Sequence, residues 1–117
     1  MKTALITGIG GQDGSYLAEL LLARGYVVHG IERPATFAAG LVHLSALRER
    51  ICLHAGTLTD GEWLAGVVRK VVPDECYHLA ANSFVSYDFA TESSVLQNNI
   101  DCTHRLLAAL KQYAPSC

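Results

Sequence analysis

Apolar segments of two kinds alternate along the chain, and their order predicts the architecture. The first kind is short and rich in apolar or β-branched residues, which predicts strands at residues 3–7, 26–32, 50–55 and 75–81. The second kind has apolar residues at helical spacing, which predicts helices at residues 13–24, 59–71 and 92–113. Strands that alternate with helices are typical of a parallel sheet covered on both faces.

The alternation also restricts the topology. Right-handed crossovers between parallel strands leave few strand orders. We therefore expect an α/β fold with a doubly wound parallel sheet, Rossmann-like but incomplete, and the strand order 3-2-1-4. The last helix is expected to bury one stripe of side chains, Val95, Asn99, Thr103, Leu106 and Leu110.

Local signals predict where several elements begin and end. Gly25 is placed to end the first helix as a C′ glycine. Thr59 and Glu62 resemble a capping box, with Thr59 as the N-cap of the helix that follows the third strand. Pro34 disfavours a longer second strand, and the stretch 36–49 that follows is ambiguous, because only residues 42–48 suggest a short helix.

Glycines recur in the stretch TGIGGQDG, at positions 8, 10, 11 and 14. The phase Gly8-x-x-Gly11-x-x-Gly14 lies between the first strand and the first helix. There a glycine allows the tight turn, a second lets a diphosphate approach the backbone, and a third lets helix and strand pack closely. The pattern predicts a dinucleotide site at a helix N-terminus, the alternative being a glycine-rich turn that binds no ligand.

Polar residues around this loop support the predicted dinucleotide site, but they do not decide between NAD and NADP. Gln12 and Asp13 open the helix, and Asp13 suits a cap as well as a ligand contact. Glu32 ends the second strand, eighteen residues after Gly14, where a carboxylate binds the ribose hydroxyls of NAD. Arg33 follows directly and suits the 2′-phosphate of NADP. For each of these two residues, an ordinary surface ion-pair partner is the alternative.

Composition narrows the remaining classes of function. The net charge of −2 favours neither a nucleic-acid partner nor an anionic membrane. The four cysteines form no Cys-x-x-Cys pair, and the chain opens directly into a strand without a leader-like segment, so we expect reduced thiols in a cytoplasmic protein. The five histidines lack a zinc spacing, and three of them fall in predicted strands.

Longer strings carry a resemblance to a known family. They are ALITGIGGQDGSYLAELLLARGYVVHGIERP, HAGTLTD and PDECYHLAANSFVSYDF. Together they resemble the GDP-mannose 4,6-dehydratase family, in the extended, nucleotide-sugar branch of the short-chain dehydrogenases/reductases (NAD-dependent epimerase/dehydratases). The resemblance covers essentially the whole chain, apart from residues 34–49.

The resemblance implies a cofactor site for NADP or NAD. The loop 8–14 would hold the pyrophosphate and Arg33 the 2′-phosphate. Glu32 stands where the family commonly has a basic residue, so the choice between the two cofactors stays open. The cofactor-binding residues implied by pattern and resemblance together are Gly8, Ile9, Gly10, Gly11, Gln12, Asp13, Gly14, Glu32, Arg33, Thr57, Leu58, Leu79, Ala80, Ala81 and Ser83.

The same resemblance implies a reaction that this chain cannot perform alone. The family uses a Tyr-x-x-x-Lys pair, and none of the five tyrosines here has lysine four residues later. We therefore expect residues 1–117 to be the N-terminal part of an NAD(P)-binding domain, without catalytic residues or a substrate domain. The full-length parent would take a sugar nucleotide.

Two alternatives remain for the chain. The first is a non-catalytic nucleotide-binding module that forms a homo-oligomer through the fourth strand, which would lie at the sheet edge. The second is a fragment of a related sugar-nucleotide epimerase.

Overall fold

The structure is a computed structural model that describes residues 1–38, 42–80 and 89–117. Its strands are β1 (Thr3–Thr7), β2 (Val27–Glu32), β3 (Cys52–Ala55) and β4 (Glu75–His78). Its helices are α1 (Gln12–Ala23), α2 (Pro34–Ala38), α3 (Gly61–Val71) and α4 (Phe89–Tyr113), with 3₁₀ turns at Val42–Leu44 and Arg48–Arg50. Within the described residues, no helix combines the length and the apolar composition that crossing a bilayer would require.

The four strands form one parallel sheet with the order β3-β2-β1-β4. This order confirms the predicted α/β class and the doubly wound, Rossmann-like arrangement. Because every pairing is parallel, the carboxyl ends of the strands lie along one edge of the sheet. β3 and β4 are the outer strands of the described sheet.

Alternation of side chains along each strand divides the core between the two faces of the sheet. Ala4 and Ile6 of β1 are fully buried on the face covered by α1. Leu5, between them, is fully buried on the opposite face, where α3 and α4 pack. The buried side chains that α3 and α4 contribute are Leu64, Val67, Val68, Cys102, Leu106 and Ala109.

The stretch between β2 and β3 differs from the prediction. A short helix over residues 42–48 is wrong, because two 3₁₀ turns lie there and α2 precedes them. Leu44 and Leu47 are buried against the α1 face, and Leu47 N donates to Leu44 O at 2.9 Å. Hydrogen bonds between residues three apart are enough to turn both leucine side chains toward the core, so burying them does not require a regular α-helix.

The N-cap of α3 also differs from the prediction. Asp60, not Thr59, caps the helix, since its Oδ1 accepts a hydrogen bond from Trp63 N at 3.1 Å. The hydroxyl of Thr59 lies 2.9 Å from the hydroxyl of Thr57 instead. Glu62 is therefore one position too early to complete a capping box.

Element ends were otherwise predicted to within a few residues. The glycine end of α1 is confirmed, with Gly25 at φ +83° directly after the C-cap. β2 and β3 begin one and two residues later than predicted, and β4 ends at His78, three residues earlier. On α4, Val95 and Leu106 are buried as predicted, while Asn99, Thr103 and Leu110 are partly buried.

Three half-buried histidines lie on the α3/α4 face of the sheet. His29 Nδ1 and His54 Nε2 are 3.0 Å apart on neighbouring strands, and their rings are stacked. Burial lowers the pKa of both histidines, and the positive charge of Lys70 lowers it further. At His54, the charge of His29 contributes in the same direction. Burial likewise lowers the pKa of His78 on β4.

These shifts predict that the folded chain loses stability in mild acid. An unfolded histidine titrates at about 6.5, so below that pH the unfolded chain takes up protons that the folded chain does not. We expect the urea midpoint to fall between pH 7.5 and pH 5.5, and to fall less in His54→Gln. The exposed His104→Gln variant is the control, and a midpoint independent of pH in the unsubstituted chain would contradict the prediction.

Candidate functional site

An open cleft of about 320 Å³ lies at the carboxyl edge of the sheet. In open α/β sheets this edge is where ligands bind. The described lining residues are Gly8, Gly10, Gly11, Ile31, Glu32, Arg33, Thr36, Gly56, Thr57, Leu58, Thr59, Leu79, Ala80, Asn98, Asn99 and Cys102.

The turn out of β1 requires glycine at its first position. Gly8 has a φ of +68°, and a Cβ there would lie 2.9 Å from Ala80 N. Gly8 N donates to Ile31 O at 3.0 Å, so the turn is held between β2 and the segment after β4. A side chain at this position would meet both a disfavoured backbone conformation and an occupied space.

The other two glycines of the motif differ in what surrounds them. A Cβ at Gly14 would lie 2.6 Å from Gly8 O and 2.8 Å from Ile9 Cα, so α1 packs directly on the turn. A Cβ at Gly11 would meet only Gly8 O, at 3.5 Å, which is ordinary contact. Gly14 therefore serves helix packing, whereas Gly11 leaves the backbone open toward the cleft.

The N-terminus of α1 presents backbone hydrogen-bond donors that its N-cap residue does not cap with a side chain. Its N-cap is Gly11, which offers no side chain, so Asp13 is not the cap. The first helical bond is donated by Ser15 N to Gly11 O at 3.0 Å. The N–H groups of Gln12, Asp13 and Gly14 precede that bond and have no acceptor inside the helix. Such a group of donors, at the positive end of the helix dipole, suits an anion.

Glu32 is tied to the glycine loop. Its side chain is 7% exposed, and its Oε2 accepts a hydrogen bond from Gly10 N at 2.8 Å. Its Oε1 accepts from Arg33 N at 3.1 Å. These bonds exclude the alternative of an ordinary surface ion-pair residue, and they fix a carboxylate in the cleft wall. Arg33 is exposed and lines the cleft beside it.

The segment after β4 forms the opposite wall. Leu79 N donates to Thr7 O at 3.2 Å, and Ala80 N donates to the hydroxyl of Thr7 at 3.1 Å. Both residues are therefore held against the end of β1, next to Gly8.

The structure brings most of the predicted residues together. Nine line the cleft: Gly8, Gly10, Gly11, Glu32, Arg33, Thr57, Leu58, Leu79 and Ala80. Ile9 is fully buried beneath the loop, where a Cβ at Gly30 would overlap its side chain. Gln12, Asp13 and Gly14 form the first turn of α1 rather than the lining. Ala81 and Ser83 lie outside the described residues.

The predicted cofactor-binding set omitted seven residues that line the cleft: Ile31, Thr36, Gly56, Thr59, Asn98, Asn99 and Cys102. Gly56 follows β3 directly, and its N–H donates to Glu32 O at 3.0 Å. A Cβ there would overlap the indole of Trp63. Its position one residue beyond a parallel strand was the available signal, because strand ends meet at the ligand edge.

Comparison with known families decides the membership of the chain. The family model described as GDP-mannose 4,6 dehydratase matches residues 5–117. The chain belongs to the GDP-mannose 4,6-dehydratase family. Its glycine loop and cleft are thus those of a member of this family.

Individual relatives agree with this membership. The chain is 44% identical over 110 residues to GDP-mannose 4,6-dehydratase of Sordaria araneosa, covering 94% of this chain and 20% of that protein. It is 44% identical over 117 residues to the human GDP-mannose 4,6 dehydratase, covering 94% of this chain and 32% of that protein. The chain therefore spans a third or less of the length of these relatives.

Solved structures show the same fold. The Bordetella bronchiseptica enzyme WbmH in complex with NAD+ matches with 32% identity and a TM-score of 0.76. The match covers 97% of this chain and 36% of that one. This chain and that NAD+-bound enzyme thus share their arrangement of strands and helices.

Proposed function

We propose that the cleft binds a nicotinamide dinucleotide and that the chain is the cofactor-binding part of a GDP-mannose 4,6-dehydratase. The observation that carries the proposal is the N-terminus of α1, whose N-cap residue, Gly11, provides no side-chain cap. The backbone of Gly11 is uncrowded and faces the cleft at the carboxyl edge of the sheet. A diphosphate fits there because it meets free N–H donors, no side chain and the positive end of a helix.

The cleft offers each part of the dinucleotide a distinct surface. The pyrophosphate would lie on Gly10, Gly11 and the first turn of α1, formed by Gln12, Asp13 and Gly14. The adenosine ribose would lie at Glu32, and the adenine against Thr57 and Leu58. The nicotinamide half would follow Leu79 and Ala80, and the same wall is proposed to continue through Ala81 and Ser83.

The chemistry that this cofactor supplies is reversible hydride transfer. In the proposed reaction, GDP-mannose is oxidised at C4, loses water across C5–C6 and then receives the hydride at C6 and a proton at C5, which gives GDP-4-dehydro-6-deoxymannose. The residues of this chain bind and orient the cofactor. They include no Tyr-x-x-x-Lys pair to move the proton, so we propose that the chain alone is catalytically incomplete.

We further propose that NAD is preferred over NADP. The Glu32 carboxylate is held in the cleft wall by two backbone N–H groups, so it cannot swing away from a 2′-phosphate. It would accept hydrogen bonds from the two ribose hydroxyls instead. Arg33 favours the phosphate, but its exposed side chain is screened by solvent.

A cytoplasmic location and a sugar-nucleotide substrate complete the proposal. The described cysteines are all free, which suits a reducing compartment. A second candidate is a non-catalytic module that pairs with another copy, and the position of β4 at the edge of the described sheet favours it. Dimers that survive dilution would support this second candidate.

Calorimetric titration of the purified chain with NAD+ and with NADP+ tests the proposal. We expect NAD+ to bind, and Gly11→Ala to weaken binding at least tenfold, because the methyl group would occupy the phosphate surface without disturbing the fold. We also expect no dehydration of GDP-mannose by the chain alone. Failure to bind either dinucleotide, or equal binding by Gly11→Ala, would overturn the proposed site.

A further inference from the structure

A series of hydrogen bonds among the described residues runs beside the cleft. Ala80 N donates to Thr7 Oγ1 at 3.1 Å, and Thr7 Oγ1 lies 2.7 Å from His78 Nδ1. On the other side of the imidazole, His78 Nε2 lies 3.0 Å from Thr103 Oγ1, which donates to Asn99 O at 2.9 Å. The series therefore joins β1, the end of β4 and α4.

The last bond fixes the direction of all the others. The carbonyl of Asn99 only accepts, so the hydroxyl proton of Thr103 is used there. Thr103 Oγ1 must then accept from a proton on His78 Nε2. In a neutral ring His78 Nδ1 is an acceptor, so it receives the hydroxyl proton of Thr7, whose oxygen accepts from Ala80. Each hydroxyl donates once and accepts once, which makes the series mutually reinforcing.

This direction agrees with the surroundings of the imidazole. Both ring nitrogens face hydroxyl groups, one on β1 and one on α4. Burial lowers the pKa of His78, which favours the neutral form that the series requires.

Both ends of the series are lining residues of the cleft. Ala80 belongs to the wall after β4, where its N–H group lies against Gly8. Asn99 belongs to the wall contributed by α4. His78 itself does not line the cleft, so any effect on a ligand must act through the two walls.

We propose that His78, as the neutral Nε2–H tautomer, is a positioning residue that holds the β4 wall and the α4 wall of the cleft at a fixed separation. The proposal rests on the dinucleotide site proposed above. A cleft whose walls are already in place binds without first ordering them, and this lowers the cost of association. Thr103 is the contact through which α4 takes part.

The tautomer is the first test, and it needs no variant and no ligand. Long-range nitrogen–proton correlation spectra distinguish the Nε2–H from the Nδ1–H form of a neutral histidine. We expect His78 in the unsubstituted chain to be the Nε2–H form. An Nδ1–H form would overturn the proposal, whether or not the chain binds a dinucleotide.

The second test is the pair Thr103→Val and Thr103→Ser. Valine keeps the shape of threonine and removes the hydroxyl, whereas serine keeps the hydroxyl. We expect Thr103→Val to accelerate hydrogen exchange at the Ala80 amide and to raise the Kd for NAD+ about tenfold, which corresponds to about 1.4 kcal/mol. Thr103→Ser should restore both values to within about twofold of the unsubstituted chain, since the hydrogen bonds are retained.

The outcomes separate this inference from the proposed function. If the unsubstituted chain binds no dinucleotide, the proposed function fails, and the tautomer and the Ala80 exchange rate still test the series itself. If NAD+ binds and Thr103→Val changes neither its Kd nor the exchange at Ala80, the positioning role of His78 is overturned. If Thr103→Val fails to fold, the role of His78 is tested by its tautomer in the unsubstituted chain and by the Kd for NAD+ and the Ala80 exchange rate of Thr103→Ser.

Discussion

Replacing Gly8 with alanine is expected to lower the free energy of unfolding by about 2–5 kcal/mol, a large part of the stability of a small domain. Two costs add at this position. The left-handed backbone, at φ +68°, costs an alanine about 1–2 kcal/mol. The new methyl group would also lie 2.9 Å from Ala80 N, and overpacking of this kind costs about 1–3 kcal/mol. Urea unfolding measures the sum.

Gly25→Ala is the matched control for this variant. Gly25 has a similar backbone, at φ +83°, but no atom lies within 4 Å of where its Cβ would be. We expect this variant to lose only the backbone term of about 1–2 kcal/mol. The difference between the two variants isolates the overlap at Ala80. Equal losses of unfolding free energy in the two variants would show that the segment after β4 shifts to make room for the methyl group at little cost. Glycine would then be required at position 8 for its backbone angles alone.

Glu32→Gln is expected to shift the cofactor preference toward NADP by at least tenfold, or about 1.4 kcal/mol. Glutamine keeps one acceptor for the backbone N–H groups of Gly10 and Arg33, but it removes the negative charge that a 2′-phosphate would meet. The measurement is the ratio of the Kd values for NAD+ and NADP+ in each variant. This ratio is insensitive to a modest loss of stability, because both cofactors are compared on the same protein.

Glu19→Gln controls for the change in net charge. Glu19 is exposed on α1 and does not line the cleft, so the ratio should remain that of the unsubstituted chain. Arg33→Ala gives the opposite test, since it removes the one cation that lines the described cleft. A chain that prefers NADP before any substitution, and loses that preference in Arg33→Ala, would show that Arg33 outweighs the fixed carboxylate.

The sheet was predictable because its signals are local and agree with one another. The run TALIT has three apolar residues between two β-branched threonines and is followed at once by a glycine, and β1 was predicted to the residue. The strand order followed from the chirality of parallel crossovers, which does not depend on individual side chains. The glycine turn was predictable for the same reason, since its spacing, its strand and its helix are contiguous in the sequence.

What could not be predicted depends on contacts between distant residues. Thr59 and Asp60 are both good N-cap residues, and the choice between them follows from the Thr57 hydroxyl that engages Thr59. Leu44 and Leu47 show helical spacing, yet two 3₁₀ turns already place them on the core. In both cases the local pattern is compatible with more than one structure, and packing selects among them.

The candidate site shows the same division. The position of Glu32 at the end of β2 was readable from the sequence, but its bond to Gly10 N joins residues 22 apart. Likewise, His78 was placed in a strand, while its contacts with Thr7 and Thr103 required the fold. Residue types at strand ends thus predict a site, and the bonds between strands determine how rigid it is.

Trp63 has a use that follows from its place in the fold. It is the single tryptophan of the chain, and its indole lies where Gly56 leaves room for it beside the cleft. Its fluorescence therefore originates at one known point, between the α3/α4 core and the cleft. The chain contains its own optical probe there, sensitive both to loss of that core and to a chromophoric ligand close enough to quench it.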